Sequence, residues 1–482
     1  MVKLAERILF LNPPLPDGDI YMKELGRCGR RSVGGETWPQ TGLAYLAAVA
    51  RQEGSVITVL DGMAEGLTQD QAEARIEEWG PDWVIAGTTT PTFVKDAAYL
   101  KRLKEAHGWT TGMTGTHVTA LPKESLDDAN ADFILVGEAE LTLKRMLNSP
   151  RDEWGKIPGI CVQGKDGPVL GPPTELIDNL DEIPYPAREE TPWNLYRMPF
   201  SRGEPFATVI PSRGCPYPCT FCRAGTVWGT GIRTRSVENL LGELVDMREN
   251  MGINFFAFMT DTFTLRRSWV MNVMEAIRPY KFRWVCNSRG DTIDYELACE
   301  MKASGCELIS FGVESGNETI LESTKKGITL DQIRTGIGET KRAGILTFAY
   351  FIIGMPGETE ETIEDTIRFA KDLDPDYVNF HVATPFPGTE LYDMAKENGW
   401  LVHEDWEQYE EMGSAVLQTP QLSPEAAMAA QQRATRSVYM RPGRIWKEIL
   451  RIRTWGDFKL RTAAGLRLLG VTQPRSGNAM ID

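Results

Sequence analysis

ATVIPSRGCPYPCTFC, residues 207–222, is the stretch on which the fold turns. Its opening residues, 207–211, form a short apolar, β-branched run ending in proline, the pattern of a buried strand. The loop that follows, Arg213-Gly214-Cys215-Pro216-Tyr217-Pro218-Cys219-Thr220-Phe221-Cys222, carries three cysteines as C-x3-C-x2-C. Three soft thiolates this close together can wrap one face of a metal centre, leaving it one ligand short of four. A structural zinc ion would want a fourth Cys or His nearby, and the next cysteine, Cys286, lies far downstream. An iron–sulfur cluster with three protein ligands keeps one iron open to an outside ligand, so a cluster is the leading reading, with zinc and unligated thiols as competitors.

Further strand-like runs follow at 255–260, 284–288, 308–313, 347–353 and 377–383, separated by helical patterns such as 237–249 and 361–372. Six strand–helix units over residues 204–400 predict a partial (β/α)6 barrel of the TIM type, with its chemistry at the carboxyl ends of the strands. Upstream, apolar segments at 7–11, 56–61, 83–88 and 133–136 alternate with helical stretches, one of which places Leu43, Leu46, Ala47 and Ala50 on a single face. Residues 1–148 therefore read as a doubly wound, Rossmann-like parallel sheet, whose ligands belong beyond the strand ends. Those ends are Asn12, Asp61, Thr88-Thr89, Gly115-Thr116-His117-Val118 and Gly137-Glu138. The connection from Asn12 to Thr41 is too long for a plain βα loop and is expected to be functional. Residues 149–203 are proline-rich and read as a linker, and 401–482 as a helical C-terminal region.

The cysteine segment resembles the radical S-adenosylmethionine superfamily. The resemblance implies that Cys215, Cys219 and Cys222 hold a [4Fe-4S] cluster whose open iron binds S-adenosylmethionine, and that Phe221 lies near the adenine. Thr260-Asp261-Thr262-Phe263 is similar to the family segment that meets the methionine amino group, and Phe311-Gly312-Val313-Glu314-Ser315-Gly316 to the fourth-strand motif, with Glu314 near the ribose or methionine moiety. Phe351-Ile352-Ile353-Gly354-Met355-Pro356-Gly357 looks like the adenine motif, and Pro385-Phe386-Pro387-Gly388-Thr389 like the segment after the sixth strand. Arg289 is placed to pair two-pronged with the methionine carboxylate.

A doubly wound domain before such a barrel resembles the cobalamin-binding subgroup, through Asn12-Pro13-Pro14, Thr41-Gly42-Leu43-Ala44-Tyr45-Leu46, Gly115-Thr116-His117-Val118-Thr119 and Val136-Gly137-Glu138. The family usually has two glycines where this chain has Thr114-Gly115, and a Cβ there restricts close approach. None of the four histidines, His107, His117, His381 and His403, has Asp two residues before it. The cobalamin is therefore expected base-off, without a His ligand from an Asp-x-His-x-x-Gly motif, while His117 is a candidate contact. Implied activities are radical methylation of an unactivated carbon, with oxidative cyclisation or rearrangement of a tetrapyrrole or lipid-like substrate as runner-up, and a non-catalytic cobalamin or redox sensor as a third reading. Implied partners are a small-molecule substrate and an electron donor such as flavodoxin or ferredoxin.

A formal net charge of −15 on 482 residues argues against nucleic acid as main partner. The imbalance is local: residues 431–482 carry 11 Lys+Arg against 3 Asp+Glu. Within this tail Arg444, Lys447, Glu448 and Arg451 fall on one helical face and Ile445, Ile449 and Ile452 on another, which suits docking on the acidic body or contact with the inner face of an anionic membrane. No apolar run reaches the length of a transmembrane helix, and the N-terminus lacks the features of a secretory signal, so a cytoplasmic protein is expected. Of the other cysteines, Cys299 and Cys306 read as small buried residues, Cys286 as a strand-end residue able to face substrate, and Cys28 as able to approach the corrinoid. Trp38 and Trp228 are candidate cavity-lining aromatics.

Overall fold

The computed structural model describes residues 5–23, 29–32, 36–411 and 413–450. Its first sheet contains β1 (Arg7–Asn12), β2 (Val56–Asp61), β3 (Trp83–Thr88), β4 (Thr110–Gly115) and β5 (Phe133–Leu135). They run parallel in the order β2-β1-β3-β4-β5. This is the doubly wound order whose direction reverses between β1 and β3. The helices are α1 (Thr41–Gln52), α2 (Gln69–Trp79), α3 (Phe93–His107), α4 (Thr116–Ala120), α5 (Pro122–Ala129) and α6 (Ala139–Leu147).

Alternation along β1 explains the layering. Ile8 and Phe10 pack against Leu43, Leu46 and Leu143, so α1 and α6 cover one face. Leu9 and Leu11 join Ile76, Leu100 and Leu126 on the other, beneath α2, α3 and α5. Local signals hold the helices in place: Thr68 and Gln71 form a capping box before α2, and Gly80 ends it in the left-handed region.

The stretch read as linker contributes to both sheets. Within it, β6 (Ile160–Gly164) and β7 (Gly167–Leu170) form a hairpin that adds two antiparallel strands beyond β5. These strands are too short, and too framed by glycine and proline, for their periodicity to stand out. Farther on, Tyr196, Met198 and Phe206 pack with Phe255, Ala257, Val285 and Leu308, filling the amino-terminal end of the second sheet's concave side.

That second sheet holds β8 (Ala207–Val209), β9 (Phe255–Phe258), β10 (Arg283–Ser288), β11 (Cys306–Glu314), β12 (Leu346–Ile353) and β13 (Tyr377–Val382), all parallel and in chain order. Six strands in succession make the partial barrel. Its chain continues through α7 (Ala224–Trp228), α8 (Val237–Met251), α9 (Arg267–Ile277), α10 (Tyr295–Ala303), α11 (Glu318–Ser323), α12 (Leu330–Arg342), α13 (Glu360–Leu373) and α14 (Glu390–Glu397). Phe256, Phe258, Trp284, Ile309, Phe311 and Phe351 point outward into the layer formed with α8, α9, α10, α12 and α13.

Cys286 belongs to this outer layer, beside Cys306, because it alternates with the inward Val285. It therefore does not face the lumen, contrary to the sequence expectation. Next come α15 (Pro424–Tyr439) and α16 (Pro442–Leu450). Through Ala427, Ala430, Ala434 and Val438, α15 packs on the barrel's outer layer. From α16, buried Arg444 donates to the carbonyl of Pro375 at 2.7 Å and to that of Asp376, so this tail residue docks on the body. Cys28, Arg451, Ile452 and the rest of the tail lie outside the described residues. No helix among the described residues is long and apolar enough to cross a membrane.

Candidate active site between the two sheets

The cysteine loop is held by its backbone. Cys215 N–H donates to Gly229 O at 3.3 Å, Thr220 N–H to Thr324 O at 3.0 Å and Cys222 N–H to Cys219 O at 3.1 Å. Gly214 sits at φ +92°, where a Cβ would fall 2.0 Å from Gly231 O, so only glycine lets the loop turn against its own return strand. Two peptide N–H groups point at sulfur: Ala224 N–H donates to Cys222 Sγ at 3.5 Å, and the Tyr217 amide donates to Cys215. Burial pushes the Cys215 thiol up, and the Asp261 charge adds to this. Burial also raises Cys219, against the pull of the Lys326 and Arg289 cations.

Charged side chains gather around these thiols from the ends of β9, β10 and β11. Glu314 Oε1 pairs with Lys326 Nζ at 2.7 Å, both buried. Arg289 departs from the sequence expectation: its fork grips Asp291 through Nε and Nη2 at 3.0 Å each, and Nη1 donates to Lys326 O at 2.9 Å. Its guanidinium carbon also lies 3.5 Å from the Tyr217 ring centre, so both prongs are engaged within the chain. Phe221 is half-buried with Ile352, Met355 and Ala383, beside Gly354. Gly354 N–H and Met355 N–H donate to Glu358 at 2.5 and 3.0 Å, and burial pushes that carboxyl up to about 7. Pro385 is buried, and Gly388 of the same segment lies against Ala120.

At the carboxyl edge of the first sheet the ionic groups are paired with one another. Asn12 donates to Asp61 at 2.7 Å and Tyr196 OH donates to its other oxygen at 3.0 Å, while burial raises this carboxyl to about 6. Lys23, from the long connection, pairs with buried Asp96 at 2.8 Å; Thr88 and Thr92 each donate to Asp96 at 2.7 Å. Beside these pairs lies a narrow cavity of about 60 Å³ that opens to solvent, bounded by Gly42, Leu43, Gly87, Gly115, Gly137 and Trp228. Thr88, Thr89 and Thr114 also line it.

Five sequence candidates do not line this cavity. Asn12 and Asp61 are spent on each other. His117 is stacked on Phe93 at 4.1 Å and edge-on to Trp406 at 5.0 Å, and burial pushes its pKa down to about 3. Val118 packs in the core of the first sheet. Glu138 is turned toward Arg213 and Arg233, at 3.2 and 2.7 Å.

Residues 209–370 match the model of the radical SAM superfamily, and residues 28–147 that of the B12 binding domain. An uncharacterized methyltransferase of Pyrococcus horikoshii is 35% identical over 87% of this chain and 92% of its own. The chain belongs to the cobalamin-binding radical SAM enzymes. Two solved structures share the fold: the cobalamin-dependent radical enzyme OxsB, at a TM-score of 0.76 over 96% of this chain and 71% of that one, and the methyltransferase TsrM from Kitasatospora setae, at 0.69 over 91% and 90%. Identities of 14% and 16% confine that likeness to the fold.

A radical SAM enzyme of this kind uses a [4Fe-4S] cluster, S-adenosylmethionine and cobalamin, and the residues present fit all three. Cys215, Cys219 and Cys222 are free thiols, and amide donors are already directed at two of the sulfurs. The cavity is bounded by glycines at which a Cβ would push the walls apart. At Gly87 a Cβ would press on Leu43 at 3.3 Å, and at Gly115, φ +133°, it would lie 1.9 Å from Thr88 O. Thr114, the departure from a double glycine, still lines the cavity, since Gly115 alone makes the close backbone approach. Sequence reasoning missed Lys326, Glu358, Arg213 and Arg223. The two arginines flank the cysteine triplet, a signal that was available; nothing in Lys325-Lys326-Gly327 announces a site.

Proposed function

We propose that this radical SAM enzyme is a methyltransferase acting on an unactivated carbon of a small molecule held in the barrel lumen. One observation carries the reading: α7, which directly follows the cysteine loop at the carboxyl edge of the second sheet, forms a wall of the glycine-bounded cavity of the first, through Val227 and Trp228. In that arrangement the cluster with S-adenosylmethionine supplies hydrogen abstraction and cobalamin supplies the methyl group. The Pyrococcus relative, a methyltransferase by name, supports transfer over cyclisation.

The chain's own residues give the concave side of the barrel an apolar floor and a polar belt. Its floor is the apolar plug of Tyr196, Met198 and Phe206, which keeps water out from below. Above it, alternation along β10 to β13 turns Asn287, Ser310, Tyr350, Asn379 and His381 inward. Asn379 Nδ2 lies 3.3 Å from His381 Nε2, and His381 Nδ1 lies 3.1 Å from Glu411. This belt would orient a substrate bearing hydrogen-bonding groups. On this reading residues 1–148 hold cobalamin base-off, consistent with the enclosed His117 ring, residues 204–400 hold the cluster and S-adenosylmethionine, 149–203 join them, and 401–482 form the C-terminal region. The cluster contacts are Cys215, Cys219 and Cys222. Those to S-adenosylmethionine come from Phe221, Asp261, Glu314, Gly354 and Pro385, with a flavodoxin or ferredoxin as electron donor.

The test is anaerobic reconstitution with iron, sulfide and hydroxocobalamin, followed by metal analysis and product analysis with S-adenosylmethionine and a chemical reductant. Four irons, one cobalt and formation of 5′-deoxyadenosine are expected. Iron without cobalt would sink the methyltransferase reading.

A further inference from the structure

Both ends of the cysteine triplet are tied to walls of the cobalamin cavity. On the Cys215 side, Arg213 is buried; its Nη1 lies 3.2 Å from Glu138 and its Nη2 2.6 Å from Glu140. Glu140 lines the cavity. Arg213 also lies 4.7 Å from the ring centre of Trp228, another wall residue. The carbonyl of the next residue, Gly229, accepts the Cys215 N–H, and Arg233 bonds Trp228 O and Glu138 at 2.7 Å each. On the Cys222 side, the adjacent Arg223 is buried and donates to the carbonyl of Thr116, which again lines the cavity.

We infer that this two-ended clamp couples the two cofactor sites, so that filling the cavity with cobalamin positions the cysteine loop and a formed cluster tightens cobalamin. Arg213, Glu140 and Arg223 are positioning residues. The physical ground is that the links are short, buried and charge-assisted, so displacing Trp228, Glu140 or Thr116 moves groups bonded directly beside a cluster ligand. Coupling between binding sites is reciprocal, which makes it measurable from either end. The inference rests on the proposed assignment of the cysteines to the cluster and of the cavity to cobalamin.

Equilibrium dialysis of hydroxocobalamin against cluster-loaded and cluster-free full-length protein measures the coupling from one end. The rate of iron loss to a chelator, with and without saturating hydroxocobalamin, measures it from the other. A cobalamin Kd at least about fivefold lower in the cluster-loaded form, at the lower end of typical couplings, and severalfold slower iron loss with cobalamin present are expected. Glu138→Gln, at a clamp carboxylate that bonds Arg213 and Arg233 and does not line the cavity, should bring both ratios toward one while the protein still takes up iron and cobalamin, and Glu138→Asp should restore part of them. Far-UV circular dichroism keeps a folding defect distinct from uncoupling. Equal affinities with unchanged iron loss in the wild-type protein would overturn the inference and leave the methyltransferase reading standing. Absence of cobalamin binding in both forms would overturn the inference together with that reading.

Discussion

At the carboxyl edge of the first sheet, Lys23 and Asp96 pair with each other and Asp61 is closed in by Asn12 and Tyr196, leaving a cavity walled largely by glycine, hydroxyl and apolar groups. At the same edge of the second sheet, Asp261, Arg289, Glu314 and Lys326 gather around thiols. The first edge offers shape and uncharged groups, the second a concentration of charge. The contrast follows from chemistry: a corrinoid offers surface and amides, whereas a cluster and a sulfonium amino acid offer charge.

The contrast breaks most visibly at its sharpest residues. Cys219→Ala should remove the cluster, reducing bound iron to near zero and abolishing 5′-deoxyadenosine formation, while the first domain still takes up cobalamin more weakly. Uptake at full affinity would separate the two edges completely. Gly115→Ala is the converse change: it places a methyl group 1.9 Å from the Thr88 carbonyl at φ +133°. Strain in a backbone region open essentially to glycine alone and forced displacement together cost about 2–6 kcal/mol, read in denaturant melts, with cobalt uptake lost and iron uptake kept.

Two pH experiments sharpen the picture of the first edge. His117 is pushed down to about 3 by burial, so the unfolded chain binds its proton first. Stability present above pH 6.5 is then lost as pH falls toward 3, by about 3 kcal/mol at pH 4, and His117→Phe should flatten that slope in melts between pH 7.5 and 4. Asp61 has the opposite sign. Its carboxyl is raised to about 6, so the folded chain keeps the proton longer and stability falls as pH rises from about 4 to 6. Asp61→Asn should remove this loss, gaining about 3 kcal/mol at pH 7.

What was legible in the sequence was whatever short-range pattern encodes. Strand runs marked the second sheet and all the parallel strands of the first except β4, and the cysteine spacing pointed to a cluster, because each is set by residues close together in the chain. The glycines bounding the cavity could be placed at strand ends for the same reason. Partnership across the interface was not legible. Glu138 sits in a cofactor-like segment, yet Arg213 and Arg233, remote in sequence, claim its carboxylate. Arg289 was expected to keep its fork free, and Asp291 two residues on takes it. The β6–β7 hairpin escaped notice because two short strands around Lys165-Asp166 leave too little periodicity.

That hairpin also determines how the first sheet meets its surroundings. Its last strand, Gly167-Pro168-Val169-Leu170, is the sheet's outer rim, and Val169 and Leu170 are 44% and 45% exposed there. An exposed apolar rim is a template for another chain to add a strand. Pro168 offers no N–H to such a visitor, and four residues give it little length to grip. The rim thus discourages edge-to-edge pairing with another copy of the chain.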